Sequence, residues 1–155
     1  MSVESVRAFF AANAPDVSVI ESDKSSATVA LAAEAFGVTP AEIAKTLSLR
    51  VGKKILLVVT CGTARLDNKK ARAVFGGKPR MLNAEEALEA TGHPVGGICP
   101  FGLKTPLQVY CDVSLKNFSE VVPAAGSINS AVRISPARMA ELTHAQWVDV
   151  CDVAS

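Results

Sequence analysis

Thr39-Pro40-Ala41-Glu42-Ile43-Ala44-Lys45-Thr46-Leu47-Ser48-Leu49-Arg50-Val51-Gly52-Lys53-Lys54-Ile55-Leu56-Leu57-Val58-Val59-Thr60 decides the fold class. Thr39 is a helix-capping residue type and Pro40 suits the first helical position, so a short helix is expected to begin here. It runs into a stretch in which Leu47, Leu49 and Val51 share one face and polar side chains take the other, the period of a half-buried strand. Gly52-Lys53 supplies a turn, and residues 54–60 return as a second strand of a hairpin.

Outward from this hairpin, helices and strands mix without order. Ser2 caps a helix to about Asn13, with Val3, Val6 and Phe10 on one face and Pro15 as its stop. Residues 17–20 alternate as a strand, and a helix starting at Ser25 or Ser26 ends at Gly37. Asp67 caps a helix to about Phe75, closed by Gly76-Gly77, and Asn83-Ala84-Glu85-Glu86 reads as a capping box for a helix that Gly92 ends. Further strands are expected at residues 107–113, 131–134 and 147–151, with a turn at Ala125-Gly126-Ser127 and a capped helix start at Ser135-Pro136. No regular βαβ repeat emerges. The expected class is α+β, a mixed and partly antiparallel sheet packed by helices.

The 155 residues, 49% apolar and 20% charged, suit one domain over residues 1–155 with its own core and exclude a disordered tail or a collagen-like chain. No aliphatic run approaches the roughly 20 residues that span a bilayer. The apolar stretch after Arg7 is too short, and the region before it is interrupted by Glu4, so no secretory signal is expected. Cysteines at positions 61, 99, 111 and 151 form no C-x-x-C pair, and His93 and His144 stand apart. The expectation is therefore a cytoplasmic protein with reduced thiols, no metal and no cofactor.

Net charge is +1, but its distribution is lopsided: residues 45–80 hold ten basic side chains and one acid, Asp67. Such segregation can turn one side of a domain towards phosphates. The alternative is that these cations are solvated and spread over several elements.

Two places invite chemistry. Lys45 lies where the short helix meets the strand, is expected on the face opposite Leu47 and Leu49, and could bind an anion or a carbonyl group. The segment His93-Pro94-Val95-Gly96-Gly97-Ile98-Cys99-Pro100-Phe101-Gly102 holds three glycines and two prolines, so it is neither helix nor strand interior. Its backbone could approach a ligand closely or orient a water. Cys99 with His93 as base would make a thiol hydrolase, which needs a lowered thiol pKa and a histidine within reach. No G-x-S-x-G elbow, Walker loop or G-x-G-x-x-G is present.

Taken together, Ile43-Ala44-Lys45-Thr46-Leu47, Leu66-Asp67-Asn68-Lys69-Lys70, Thr91-Gly92 followed by the loop through Gly102, and Ala125-Gly126-Ser127 before Val132-Arg133-Ile134 resemble the YbaK/prolyl-tRNA synthetase editing-domain family. The resemblance follows nearly the whole chain in order and spacing. It implies a free-standing trans-editing domain that hydrolyses tRNA mischarged with a small amino acid: alanine, serine, cysteine or threonine, on tRNA(Pro) or a related tRNA. It further implies Lys45, Gly96 and Gly97 as catalytic positions, with Thr46, Ile98, Cys99, Pro100, Phe101, Gly102, Gly126 and Ser127 around the substrate. Lys69 and Lys70 are expected to meet the tRNA acceptor end. Where the family pattern has serine or another small residue stands Cys99, which favours an inert thiol. The expected partners are mischarged tRNA and, optionally, a synthetase, with neither DNA nor a membrane.

The chemistry suits a site poor in nucleophiles. An aminoacyl ester is already activated, so a positioned water and a stabilised oxyanion suffice. Editing answers the weak discrimination between small side chains that a single synthetic pocket achieves. Two competing readings are a non-catalytic RNA or aminoacyl-tRNA binding module, and the Cys99-dependent hydrolase.

Overall fold

A computed structural model describes residues 2–153, the Val153 side chain excepted. The chain runs α1 (Ser2–Asn13), β1 (Ile20–Glu21), α2 (Val29–Phe36), a 3-10 turn (Pro40–Glu42), β2 (Ile43–Val51), β3 (Lys54–Cys61), β4 (Ala64–Leu66), α3 (Asn68–Phe75), β5 (Arg80–Met81) and α4 (Ala84–Thr91). After the Gly/Pro-rich loop come β6 (Gln108–Asp112), a second 3-10 turn (Val113–Asn117), β7 (Val122–Pro123), β8 (Ser130–Ala131), α5 (Pro136–Thr143), β9 (Gln146–Val148) and β10 (Cys151–Val153). This is the α+β class expected.

The central sheet has the order β5-β2-β3-β6-β9. The β2–β3 hairpin is antiparallel from Ala44↔Cys61 to Val51↔Lys54, whereas β6 joins β3, and β9 joins β6, in parallel. On its other edge β2 has strand partners only at its two ends. β5 pairs with Leu49 and Arg50, and β7 with Ile43 and Ala44. Between them the Leu82 N–H reaches the Ser48 carbonyl, but no strand pairs with Lys45, Thr46 or Leu47 on that edge, and that gap positions the site.

Capping fixed most helix ends where the sequence put them. The Asp67 side chain accepts from the Lys70 N–H and the Asn83 side chain from the Glu86 N–H, while Gly37, Gly76 and Gly92 close α2, α3 and α4 in left-handed conformation. The expected start of α2 was early, because Thr28 rather than Ser25 or Ser26 caps it. Ser26 instead binds the Ile128 carbonyl through both its N–H and its hydroxyl. The helix expected after Thr39 is a single 3-10 turn, since β2 already begins at Ile43.

Three strands are shorter than their patterns suggested. Of the runs at 17–20 and 131–134 only Ile20 and Ala131 lie in strands, Ile20–Glu21 and Ser130–Ala131, which pair with each other. The run at 147–151 is split: the Val150 N–H is taken by the buried Asp112 carboxylate, and the chain then leaves β9 to pair with β4 as β10. The main core lies on both sides of β3 and includes Val6 and Phe10 of α1 with Leu57, Val59, Cys111 and Met139. All four cysteines are buried and free.

Candidate active site

The open edge of β2 borders a cavity of about 260 Å³. Its floor is β2 itself, with Thr46 and Ser48 on one face of the strand. One wall comes from α2 and the segment before it (Ala27, Ala32, Phe36), and another from Leu82 and Ala87. Gly96 and Ile98 close a third side. Val122 and Ser130 complete the enclosure. The lining is mostly aliphatic, and the mouth carries Met81 and Val95, 53% and 57% exposed.

Lys45 borders the same cavity. Its expected orientation needs correction. Unbroken pairing with β3 keeps strict alternation along β2, so Lys45 belongs to the face of Leu47 and Leu49, not the opposite one. The side chain is half-buried, and its Nζ donates to the Ala64 carbonyl at 2.5 Å. Burial lowers the Lys45 pKa from the ordinary 10.5, with nearby Cys151 and Cys61 opposing and Arg65 adding to the shift. Lys45, its ammonium partly desolvated and fixed at the Ala64 carbonyl, is among the residues around a small apolar chamber. That pairing can hold a small side chain while offering a cation to developing negative charge.

Of the positions the resemblance singled out, the structure brings Lys45, Thr46, Gly96 and Ile98 to the cavity. Gly97, Gly126 and Ser127 stand behind its wall. Gly97 donates to the Pro94 carbonyl and accepts from the Gly126 N–H at 3.0 Å, so its peptide groups join two loops. A Cβ on Gly97 would come within 2.6 Å of the Ser127 nitrogen. The Ser127 hydroxyl is engaged by Asn129 and, at 2.6 Å, by Ser130.

Cys99, Pro100, Phe101 and Gly102 are not among the residues around the cavity, because α1 holds this end of the loop on its far side. Phe101 is fully buried against Phe10, ring centroids 4.7 Å apart, and the Ser5 hydroxyl donates to the Gly102 carbonyl. Ser2 likewise bonds the Gly126 carbonyl, so α1 clamps both loops. The buried Cys99 thiol is pushed up to about 12 and donates to the Phe101 carbonyl, the same oxygen that His93 Nε2 binds. A low-pKa thiol paired with a histidine base is absent, and the thiol-hydrolase reading falls with it.

The basic stretch is partly neutralised. Arg50 and Arg80 meet Glu86, and Lys70 is held by Asp149, Asp152 and the Cys151 carbonyl. Lys69 is exposed. Among the described residues no group of three or more His, Cys, Asp or Glu is placed to hold a metal ion, and no helix is long and apolar enough to cross a membrane.

Sequence reading missed Ser48 and the walls from α2, β5 and β7, which the sheet gap assembles from distant segments. The i, i+2 polar pair Thr46 and Ser48 on a strand otherwise rich in Leu and Val was the available signal.

Fold and site together define an α+β domain with a small, mostly aliphatic chamber at a split sheet edge, bordered by one lysine. Residues 23–142 match the family described as aminoacyl-tRNA editing domain, and the chain belongs to that family. Its class of activity is hydrolytic editing of aminoacyl-tRNA. The chain is 49% identical to the uncharacterized protein YwhH of Bacillus subtilis (strain 168), over 97% of this chain and 98% of that one. It is 30% identical to a candidate Cys-tRNA(Pro)/Cys-tRNA(Cys) deacylase, EbsC, of Enterococcus faecalis (strain ATCC 700802 / V583), covering 76% of this chain and 73% of EbsC. A crystal structure of a candidate trans-editing enzyme for prolyl tRNA synthetase superposes with a TM-score of 0.90 at 33% identity, covering 97% of both chains.

Proposed function

We propose that this chain is a trans-editing deacylase that removes a small amino acid, of the alanine, serine, cysteine or threonine class, from mischarged tRNA(Pro) or a related tRNA. The observation that carries the reading is the 260 Å³ chamber with Lys45 at its border. A chamber of that size, closed by Phe36, Leu82 and Ile98, favours small side chains over large ones. EbsC and the structural relative point to the tRNA(Pro) context.

In the proposed reaction water attacks the ester carbonyl carbon, the bond to the ribose oxygen breaks, and the free amino acid and a tRNA hydroxyl leave. Lys45 stabilises the oxyanion, and its bond to Ala64 holds the ammonium in place before the substrate arrives. Gly96 and Ile98 supply the wall against which the ester rests, and Thr46 lies on the floor. Gly97, Gly126 and Ser127 keep that wall in position, and the buried residues Cys99, Pro100, Phe101 and Gly102 anchor it to α1. The exposed Lys69 is the better candidate for a phosphate contact, because Lys70 is already bound to carboxylates. Action in the cytoplasm, beside a synthetase, fits a substrate that is an intermediate of translation.

The test is release of amino acid from tRNA(Pro) charged with alanine, serine, cysteine, threonine or proline. Release of a small amino acid with proline spared is the expected result. Tight binding of mischarged tRNA without release would make the protein a binding module and overturn the proposal.

A further inference from the structure

A lysine stem is flexible, and an ammonium that is to meet a developing oxyanion needs a fixed place. In this chain the place is set by the Ala64 carbonyl, which accepts from Lys45 Nζ. Ala64 is fully buried and opens β4, a strand of three residues whose strand partner among the described residues is β10. Ala64 stands opposite Val153, and Leu66 opposite Cys151. The carbonyl that holds Lys45 is therefore only as well placed as β10.

β10 lies outside the central sheet and is tied down from two sides. On the outer side Lys70 Nζ meets the Cys151 carbonyl and the carboxylates of Asp149 and Asp152. On the inner side Val150, fully buried just before β10, accepts from the Asp67 N–H and donates to Asp112 Oδ1, both at 2.8 Å. Asp112 ends β6 in the central sheet, and its Oδ2 caps the following 3-10 turn by accepting from the Ser114 N–H at 3.0 Å. Capping uses one oxygen. The other reaches a residue 38 positions away and joins the central sheet to β10.

Asp112 is 1% exposed, and a carboxylate so buried usually has a cation as its partner, whereas this one is held by two backbone N–H groups. Cys151, the first residue of β10, feels both ends of the connection. Burial pushes its thiol up to about 12, with Asp112 adding to the rise and Lys45 opposing it.

We infer that Asp112 is a positioning residue for deacylation, which through Val150 and β10 fixes the Ala64 carbonyl and so the Lys45 ammonium. The inference rests on the deacylase reading and on the role of Lys45 in it. Asp112 is not among the residues around the cavity, so its loss slows the chemical step only while Lys45 is present to be misplaced. A misplacement of about 1 Å can cost on the order of a hundredfold.

The experiment is a double-mutant cycle on the mischarged tRNA(Pro) that wild type deacylates fastest, reading the single-turnover rate and KM of wild type, Asp112→Asn, Lys45→Ala and the double variant, with folding checked by melting temperature. Asparagine has one acceptor oxygen where aspartate has two, so the Val150 or the Ser114 N–H loses its partner. Asp112→Asn should lower the rate about tenfold in the wild-type background with KM within about twofold, and less than about twofold in the Lys45→Ala background. Should Asp112→Asn fail to fold, Lys70→Ala loosens β10 from its exposed side and carries the same cycle, with an expected fall of about threefold in wild type and none in Lys45→Ala. Equal losses in the two backgrounds would make the connection merely structural and overturn the inference, as would wild-type turnover in a folded Asp112→Asn protein; both leave the deacylase reading standing. No release by the wild-type protein would overturn that reading and the inference with it.

Discussion

The thiol of Cys99 and the ring Nε2–H of His93 donate to one acceptor, the carbonyl oxygen of Phe101, at 3.7 and 2.7 Å. Because a carbonyl only accepts, His93 carries its proton on Nε2, and its enclosed Nδ1 has no partner among the described residues. Burial lowers the His93 pKa and raises that of Cys99. Both groups are neutral anchors that tie the two ends of the Gly/Pro-rich loop together.

Cys99→Ser is accordingly expected to keep deacylation within about threefold of wild type, and the native thiol to resist alkylation at neutral pH, since a group titrating near 12 is almost wholly protonated there. Turnover assays and mass spectrometry after iodoacetamide treatment check this. Rapid labelling with loss of activity would contradict it.

Gly97 bears the closest approach between loops. A methyl group there meets the backbone of Gly126 and Ser127 within 2.8 Å, and backbone cannot rotate away. Gly97→Ala is expected to destabilise the protein by about 1–3 kcal/mol, the scale of overpacking, and to raise KM by displacing the Gly96 wall. Denaturant melts and steady-state kinetics read the two effects separately.

The two neighbouring lysines should separate. Lys69→Ala is expected to raise KM for tRNA with little change in kcat, and to lower the slope of log affinity against log salt by about 0.7–0.9 for the lost phosphate contact. Lys70→Ala should instead lower the melting temperature, because it releases Asp149 and Asp152 and unties α3 from β10. An unchanged salt slope in Lys69→Ala would place the tRNA elsewhere.

Glu86 gathers the Asn83 N–H, Arg80 and Arg50, which together hold its carboxyl down at about 2 against an ordinary 4.5. A depressed carboxylate contributes stability above its unfolded value that is lost as pH falls towards the folded one. The melting temperature is therefore expected to drop between about pH 4.5 and 2, and to drop less in Glu86→Gln. Parallel curves for the two proteins would remove Glu86 from the acid response.

Local signals in the sequence were good guides. The Gly52-Lys53 turn and the caps at Asp67 and Asn83 act within a few residues, and the structure places them as read. Strand lengths at 17–20 and 131–134 were not legible, because alternation does not reveal whether a partner strand is available. The gap between β5 and β7 depends on two short strands that meet β2 from residues 80–81 and 122–123. For the same reason Ser48 was missed. Loop residues 99–102 were read as ligand-facing from their glycine and proline content, whereas their burial is imposed by α1, nearly a hundred positions away.

Lys45 carries the central claim, and its direct test is single-turnover release of serine or alanine from tRNA(Pro) by wild type and Lys45→Ala, with folding checked by melting temperature. Losing one contact to a developing oxyanion costs on the order of 3 kcal/mol, so the account predicts a fall of about a hundredfold or more in the chemical step of a folded variant. A folded Lys45→Ala protein with wild-type turnover would contradict it.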